Sequence, residues 1–107
     1  MNNTGKKDWH EDDVLLPARL ILMNGGPNPT VPTDSPEFIR TMNAMNIDAR
    51  QLTARINMLR SNHRDWKGGN PMQVGPIDLR VIDQMIKAPT YVKTSAKAIL
   101  EGLEGDN

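Results

Sequence analysis

The sequence predicts an all-α fold: a small bundle of three to five helices with one long central helix and Pro/Gly-rich linkers. Three observations carry that expectation. Apolar residues recur at three- and four-residue spacing in most segments, the period of an amphipathic helix rather than a strand. Proline and glycine cluster in two runs, Gly25 to Pro36 and Gly68 to Pro76, that separate the periodic segments. A chain of 107 residues has room for one small domain and not for two. Residues 1–8 read as a flexible N-terminal tail, 9–103 as a single helical domain and 104–107 as an acidic C-terminal tail.

The first element is ambiguous. In "DDVLLPARLILMNGG", Leu15, Leu16, Arg19, Leu20 and Met23 give a partial helical spacing, and Asp12 or Asp13 suits a helix start. Pro17 has no amide proton and clashes with the carbonyl four residues earlier unless it lies in a first turn. The favoured reading is a short helix from Pro17 to Asn24 closed by Gly25, with a buried strand as the runner-up. "GGPNPTVPTDSP" follows as a linker, its four prolines favouring turns and extended backbone.

The central helix has the clearest signal. Asp34 or Ser35 can cap it, Pro36 suits its first position, and Glu37 complements the positive helix end. Phe38, Met42, Met45, Ala49, Leu52, Ile56 and Leu59 then recur at spacings of four and three, and His63 and Trp66 continue the series. The helix is expected to reach about Asn62, or to break near "MNID" with Asn46 or Asp48 as a new cap. A third helix fits "PIDLRVIDQMIK", with Leu79, Ile82, Met85 and Ile86 inward and Pro89 as its stop. A fourth fits Thr90 to Gly102, striped by Val92, Ala96, Ile99 and Leu103.

Composition narrows the function. Thirteen basic residues balance thirteen acidic ones, so no global charge draws the chain to nucleic acid or an anionic membrane. The absence of cysteine removes disulfides, a thiol nucleophile and cysteine zinc ligands. Nothing apolar backs the lysines of "MNNTGKKDWHEDD", so it does not read as a secretory signal. The apolar run from Val14 to Met23 is too short to span a bilayer. Cytoplasm, or a virion if the chain is viral, is the expected location.

One stretch invites an enzymatic reading. "HRDWKGGN", His63 to Asn70, fits the H-R-D-x-x-x-x-N loop of protein kinases. That chemistry also needs a glycine-rich loop, a strand lysine and a second metal-binding Asp, and no D-F-G or G-x-G-x-x-G is present. The stretch reads instead as a helix end released by Gly68-Gly69. "HEDD" at His10 to Asp13 reads as an acidic helix start before it reads as a metal site. No catalytic residue, metal or cofactor is expected.

Two binding functions remain. The leading one is a non-enzymatic protein–protein interaction or assembly protein: a scaffold, adaptor or virion-type component, self-associating or bound to a larger partner. Its candidate interface is Phe38, Met42, Met45, Leu52, Ile56, Leu59 and Trp66 on the central helix. As a parallel coiled coil that seam would oppose Arg55 to Arg60, so a wide face packed on several helices is expected instead. The alternative is a small nucleic-acid-binding module. Its candidate contacts are Arg60, Arg64, Trp66 and Lys67, or Lys93 and Lys97 on the second helix of a helix-turn-helix at 77–103.

Overall fold

The computed structural model describes residues 8–105. They form α1 (Glu11–Met23), α2 (Pro36–Met45), α3 (Ala49–Ser61), α4 (Pro76–Lys87) and α5 (Pro89–Gly105). The described residues contain no strand. None of their helices is long and apolar enough to cross a membrane.

The axis of the bundle is α1. Every residue from Val14 to Ile21 is buried, so this helix has no solvent face along its middle two turns. It packs on α5, α4, α3 and α2. Its first turn is acidic, and the Asp13 carboxylate accepts the His10 backbone N–H at 3.0 Å. Pro17 lies inside the helix. A proline there gives up one backbone hydrogen bond and costs about 3 kcal/mol. Pro17 is itself fully buried, and the apolar burial along Val14–Ile21 offsets that local penalty. The expected start at Pro17 is therefore corrected to Glu11, and the strand alternative falls. Gly25 (φ 99°) and Gly26 (φ 110°) then take left-handed backbone, and the Gly26 N–H closes the helix on the Ile21 carbonyl at 3.0 Å.

The long periodic segment takes the second of its two expected forms, breaking near "MNID" into two helices. Asn46 adopts left-handed geometry (φ 57°), a conformation Asn tolerates better than most residues. Two residues later Asp48 restarts the chain with a reciprocal cap. Its carboxylate accepts the Gln51 N–H at 2.8 Å, and the Gln51 side chain accepts the Asp48 N–H at 3.0 Å. The break lets α2 pack on α1 and α5 while α3 packs on α1 and α4. Phe38, Met45, Leu52, Ile56 and Leu59 all enter the core, Met42 is half-buried and Ala49 is exposed. Because α3 stops at Ser61, His63 and Trp66 do not extend the seam.

In α4 the inward face is Asp78, Val81, Ile82 and Met85. Leu79, expected inside, is 52% exposed. In α5, Val92, Ala96 and Leu100 are buried, with Ile99 and Leu103 partly so. This helix runs through Glu104 to Gly105 rather than fraying after Leu103. Of the expected tails at 1–8 and 104–107, residues 1–7 and 106–107 lie outside the described residues.

A chain of charges ties three helices on one side. Arg19, almost fully buried on α1, donates to Glu37 of α2 at 2.7 Å. Arg40 of α2 donates to the same Glu37 oxygen at 3.4 Å and grips Glu104 of α5 with Nε and Nη2 at 2.7 and 2.8 Å. The Arg19 hydrogen bond holds the Glu37 carboxyl below its ordinary pKa of 4.5. The Arg40 hydrogen bond does the same for Glu104.

Two outcomes follow for stability. Leu16→Ala, at a fully buried site, is expected to lower the denaturation free energy by about 2–5 kcal/mol. Leu79→Ala is expected to stay within about 0.5 kcal/mol of the parent in the same urea titration. Glutamates held below their ordinary pKa stabilise the fold in full above about 4.5 and lose that contribution as pH falls through the lowered folded-state values. The urea midpoint should therefore fall as the pH is lowered below about 4.5. Glu37→Gln should shrink that drop; an unchanged pH dependence in this variant would exclude the ionised Glu37 as its source.

Candidate functional site

The kinase-like stretch forms a latch. Arg60, in the last turn of α3, is buried and uses every arm of its guanidinium. Nε donates to the Pro27 carbonyl at 2.8 Å, Nη2 to the Asn28 carbonyl at 2.9 Å, and Nη1 to Asn57 Oδ1 at 2.9 Å. The same cation stacks on the Trp66 ring at 5.1 Å. Asn28 answers from the linker: its Nδ2 donates to the Asp65 carbonyl at 2.9 Å, and its Oδ1 accepts the Lys67 N–H at 2.8 Å. The first Pro/Gly run is thus pinned to the end of α3 and to the turn that follows it.

The Trp66 ring lies against Gly68, and a Cβ at that position would overlap the ring. The indole N–H donates to the Gly69 carbonyl at 3.0 Å. His63 Nδ1 accepts the Asp65 N–H at 3.1 Å, and burial lowers the imidazole's pKa. The Asp65 carboxylate is held by Arg64 at 3.1 and 3.3 Å, which keeps its pKa below the ordinary value. Every group that would carry kinase-type chemistry in this stretch, apart from the exposed Asn70, is therefore held by local contacts. Asp65 and its neighbours shape a turn.

This arrangement divides the candidate nucleic-acid residues. Arg60 faces the core and Trp66 is half-buried between Arg60 and Gly68. Arg64 and Lys67 are exposed on the turn after α3, and Lys93 and Lys97 are exposed on α5. The helix pair at 77–103 is joined by Ala88 alone, and α5 packs on α1 more extensively than on α4. The candidate protein interface is also redistributed, because Phe38, Met45, Leu52, Ile56 and Leu59 are spent inside the bundle.

A different surface has the form of a binding site. A groove of about 470 Å³ runs between the chain before α1, the middle of α3, and the segment leading into α4. Trp9, Arg55, Met58, Gln73, Val74 and Ile77 are among its walls. Its floor is an ion pair: Arg55 Nη1 donates to both oxygens of Asp78 at 2.8 and 3.0 Å, and the Asp78 side chain is only 5% exposed. Asp78 also accepts the Gly75 N–H at 3.0 Å, so one carboxylate starts α4 and orients Arg55. The Arg55 guanidinium lies 4.5 Å from the Trp9 ring centroid.

Two sets of hydrogen-bonding groups at this groove have no partner among the described residues. One is the Nε/Nη2 edge of Arg55. The other is the main chain of Gln73 and Val74. Residues 71–75 run without a turn or bend. Met72 N–H is bound by Ser61 Oγ on one side, and Gly75 N–H by Asp78 on the other. Between them lies a two-residue strip of free main chain.

Little of this groove was signalled by the sequence. Trp9 marked only where order begins, and Arg55 entered only as a residue unfavourable in a coiled coil. Asp78, three residues after Gly75, fits a first-turn capping pattern. Its pairing with Arg55, 23 residues away, has no local signature. Among the described residues, no group of three or more His, Asp or Glu side chains is placed to hold a metal ion. No family model, curated protein or solved structure matches the chain.

The latch makes a sharp prediction from two adjacent glycines. Gly68→Ala should expel Trp66 from its stack, cost about 1–3 kcal/mol, and red-shift Trp66 fluorescence in a Trp9→Phe background. Gly69→Ala meets nothing within 4 Å and should leave both readings unchanged.

Proposed function

We propose that this chain is a non-enzymatic protein-interaction domain that takes a short segment of a partner protein into the groove between Trp9, Arg55–Met58 and residues 73–78. The single observation that supports it most is the free main chain of Gln73 and Val74 beside a half-apolar groove. Exposed backbone groups at the edge of such a channel are the usual means of holding an extended peptide, with nearby apolar side chains giving selectivity. Trp9, Met58, Val74 and Ile77 supply the apolar contacts here.

This reading keeps the interaction class expected from the sequence and moves its surface. The central seam is consumed in the core, so a partner engages the rigid bundle at its groove. Assembly with larger structures would then be by short linear segments rather than by helix pairing. The nucleic-acid alternative retains exposed Arg64, Lys67, Lys93 and Lys97 but loses Arg60 to the latch.

Random peptide libraries displayed with either end free, selected on the folded protein, test the reading. Enriched peptides should compete with one another, lose binding to Trp9→Ala, and keep it with Lys93→Glu/Lys97→Glu. Failure to enrich any peptide, or peptides sensitive only to the lysine changes, would sink it. Salt-sensitive oligonucleotide binding in place of peptide enrichment would favour the nucleic-acid module.

A further inference from the structure

We infer that the groove recognises the C-terminal end of an extended peptide, with the terminal carboxylate on the Nε/Nη2 edge of Arg55 and the preceding residue paired to the main chain of Gln73–Val74. This rests on the groove being a peptide site and adds the chemistry of its ligand.

The geometry of Arg55 carries the first half. A guanidinium presents two flat forks, and the Nε/Nη2 fork matches the two oxygens of a carboxylate. Asp78 engages Nη1 alone, with both of its oxygens, and leaves that second fork without a partner. The Arg55 side chain is 18% exposed and lines the groove, so the fork is reachable. Trp9 at 4.5 Å and the buried Asp78 fix the plane of the guanidinium before any ligand arrives. Holding the donor in place lowers the ordering cost of binding. Asp78 offsets the charge of Arg55, so selectivity comes from the directed pair of hydrogen bonds more than from net attraction.

The main chain carries the second half. The contiguous free N–H donors are those of Gln73 and Val74, because Ser61 and Asp78 occupy the N–H groups on either side. A strip this short cannot pair with a long strand passing through. It suits the last residues of a chain, and such an end brings its own carboxylate to Arg55. Capture of a terminal carboxylate beside backbone donors is an established recognition mode in general. The apolar walls Met58, Val74 and Ile77 then favour an apolar side chain near that end.

The test uses an acetylated tripeptide of alanine, valine and leucine, once with a free C-terminal carboxylate and once as the C-terminal amide. Both are titrated into ¹⁵N-labelled full-length protein. The acid should shift the Trp9 indole N–H, the Arg55 Nε–H and the Gln73 and Val74 amides, and should bind at least about tenfold tighter than the amide. Arg55→Lys keeps a cation but loses the fork, and should erase the difference between acid and amide. Gln73→Pro, at an exposed site, removes one main-chain donor without touching Arg55 and should weaken the acid; this variant decides the matter if Arg55→Lys does not fold. Equal affinity of acid and amide, or shifts confined to another face, would overturn the inference. Peptides enriched only from the library with free N-termini would overturn it too, while leaving the peptide-binding function standing. Absence of any enriched peptide would remove both.

Discussion

Helix α1 is buried on every side from Val14 to Ile21, and a helix without a solvent face requires neighbours all around it. The remaining elements follow from that demand. Four helices must reach α1 from different directions within a chain of 107 residues, so each must be short and each connection must turn sharply. The break at Asn46–Asp48 serves this need by sending α2 and α3 to different sides of the axis. The proline inside α1 is tolerated for the same reason. A local cost of a few kcal/mol is outweighed when eight successive residues leave water.

Wrapping a helix this way leaves long connections, and two arginines organise them. Arg60 collects the carbonyls of Pro27 and Asn28 and the face of Trp66, which joins the first Pro/Gly run to the turn after α3. Arg55, in the middle of α3, reaches Asp78 and Trp9 and so sets the entry of α4 beside the chain before α1. Arg60 is buried and Arg55 is half-buried, and each is held by several partners, the condition under which a shielded cation is tolerable. Arg60 engages all three of its guanidinium nitrogens inside the protein and makes a joint. Arg55 keeps one fork open to a groove and offers a contact.

Much of the fold was legible in the chain. Pro76 to Lys87 and the helix after Pro89 read correctly because proline and glycine punctuate them and their apolar period is clear. Asp48 and Asn46 were recognisable as a possible break, since both residue types favour that geometry. What misled was periodicity taken alone. The series from Phe38 to Trp66 keeps its three-four rhythm across a break of three residues, so it reads as one long helix with a face to spare. Leu79 fits a helical stripe yet stays exposed, because Asp78 turns inward to Gly75 and Arg55. The groove was nearly invisible, since it joins residues 9, 55 and 73–78 that no short window contains.

By itself the sequence determined the helical class, several helix ends and part of the apolar stripes of α2, α3 and α5, while Thr41 and Leu100 were buried without being signalled. The signalled features depend on interactions between residues a few positions apart, which a linear reading can follow. Only the tertiary structure decided which helix is central, whether the seam is core or surface, and how "HRDWKGGN" is folded. Those outcomes rest on contacts between distant segments: the burial of α1 by all the others, and the reach of Arg60 across 33 residues to Pro27. An arginine on a helix looks the same in sequence whether it grips a carbonyl, a carboxylate or water. Its meaning is set by the partner that folding places beside it.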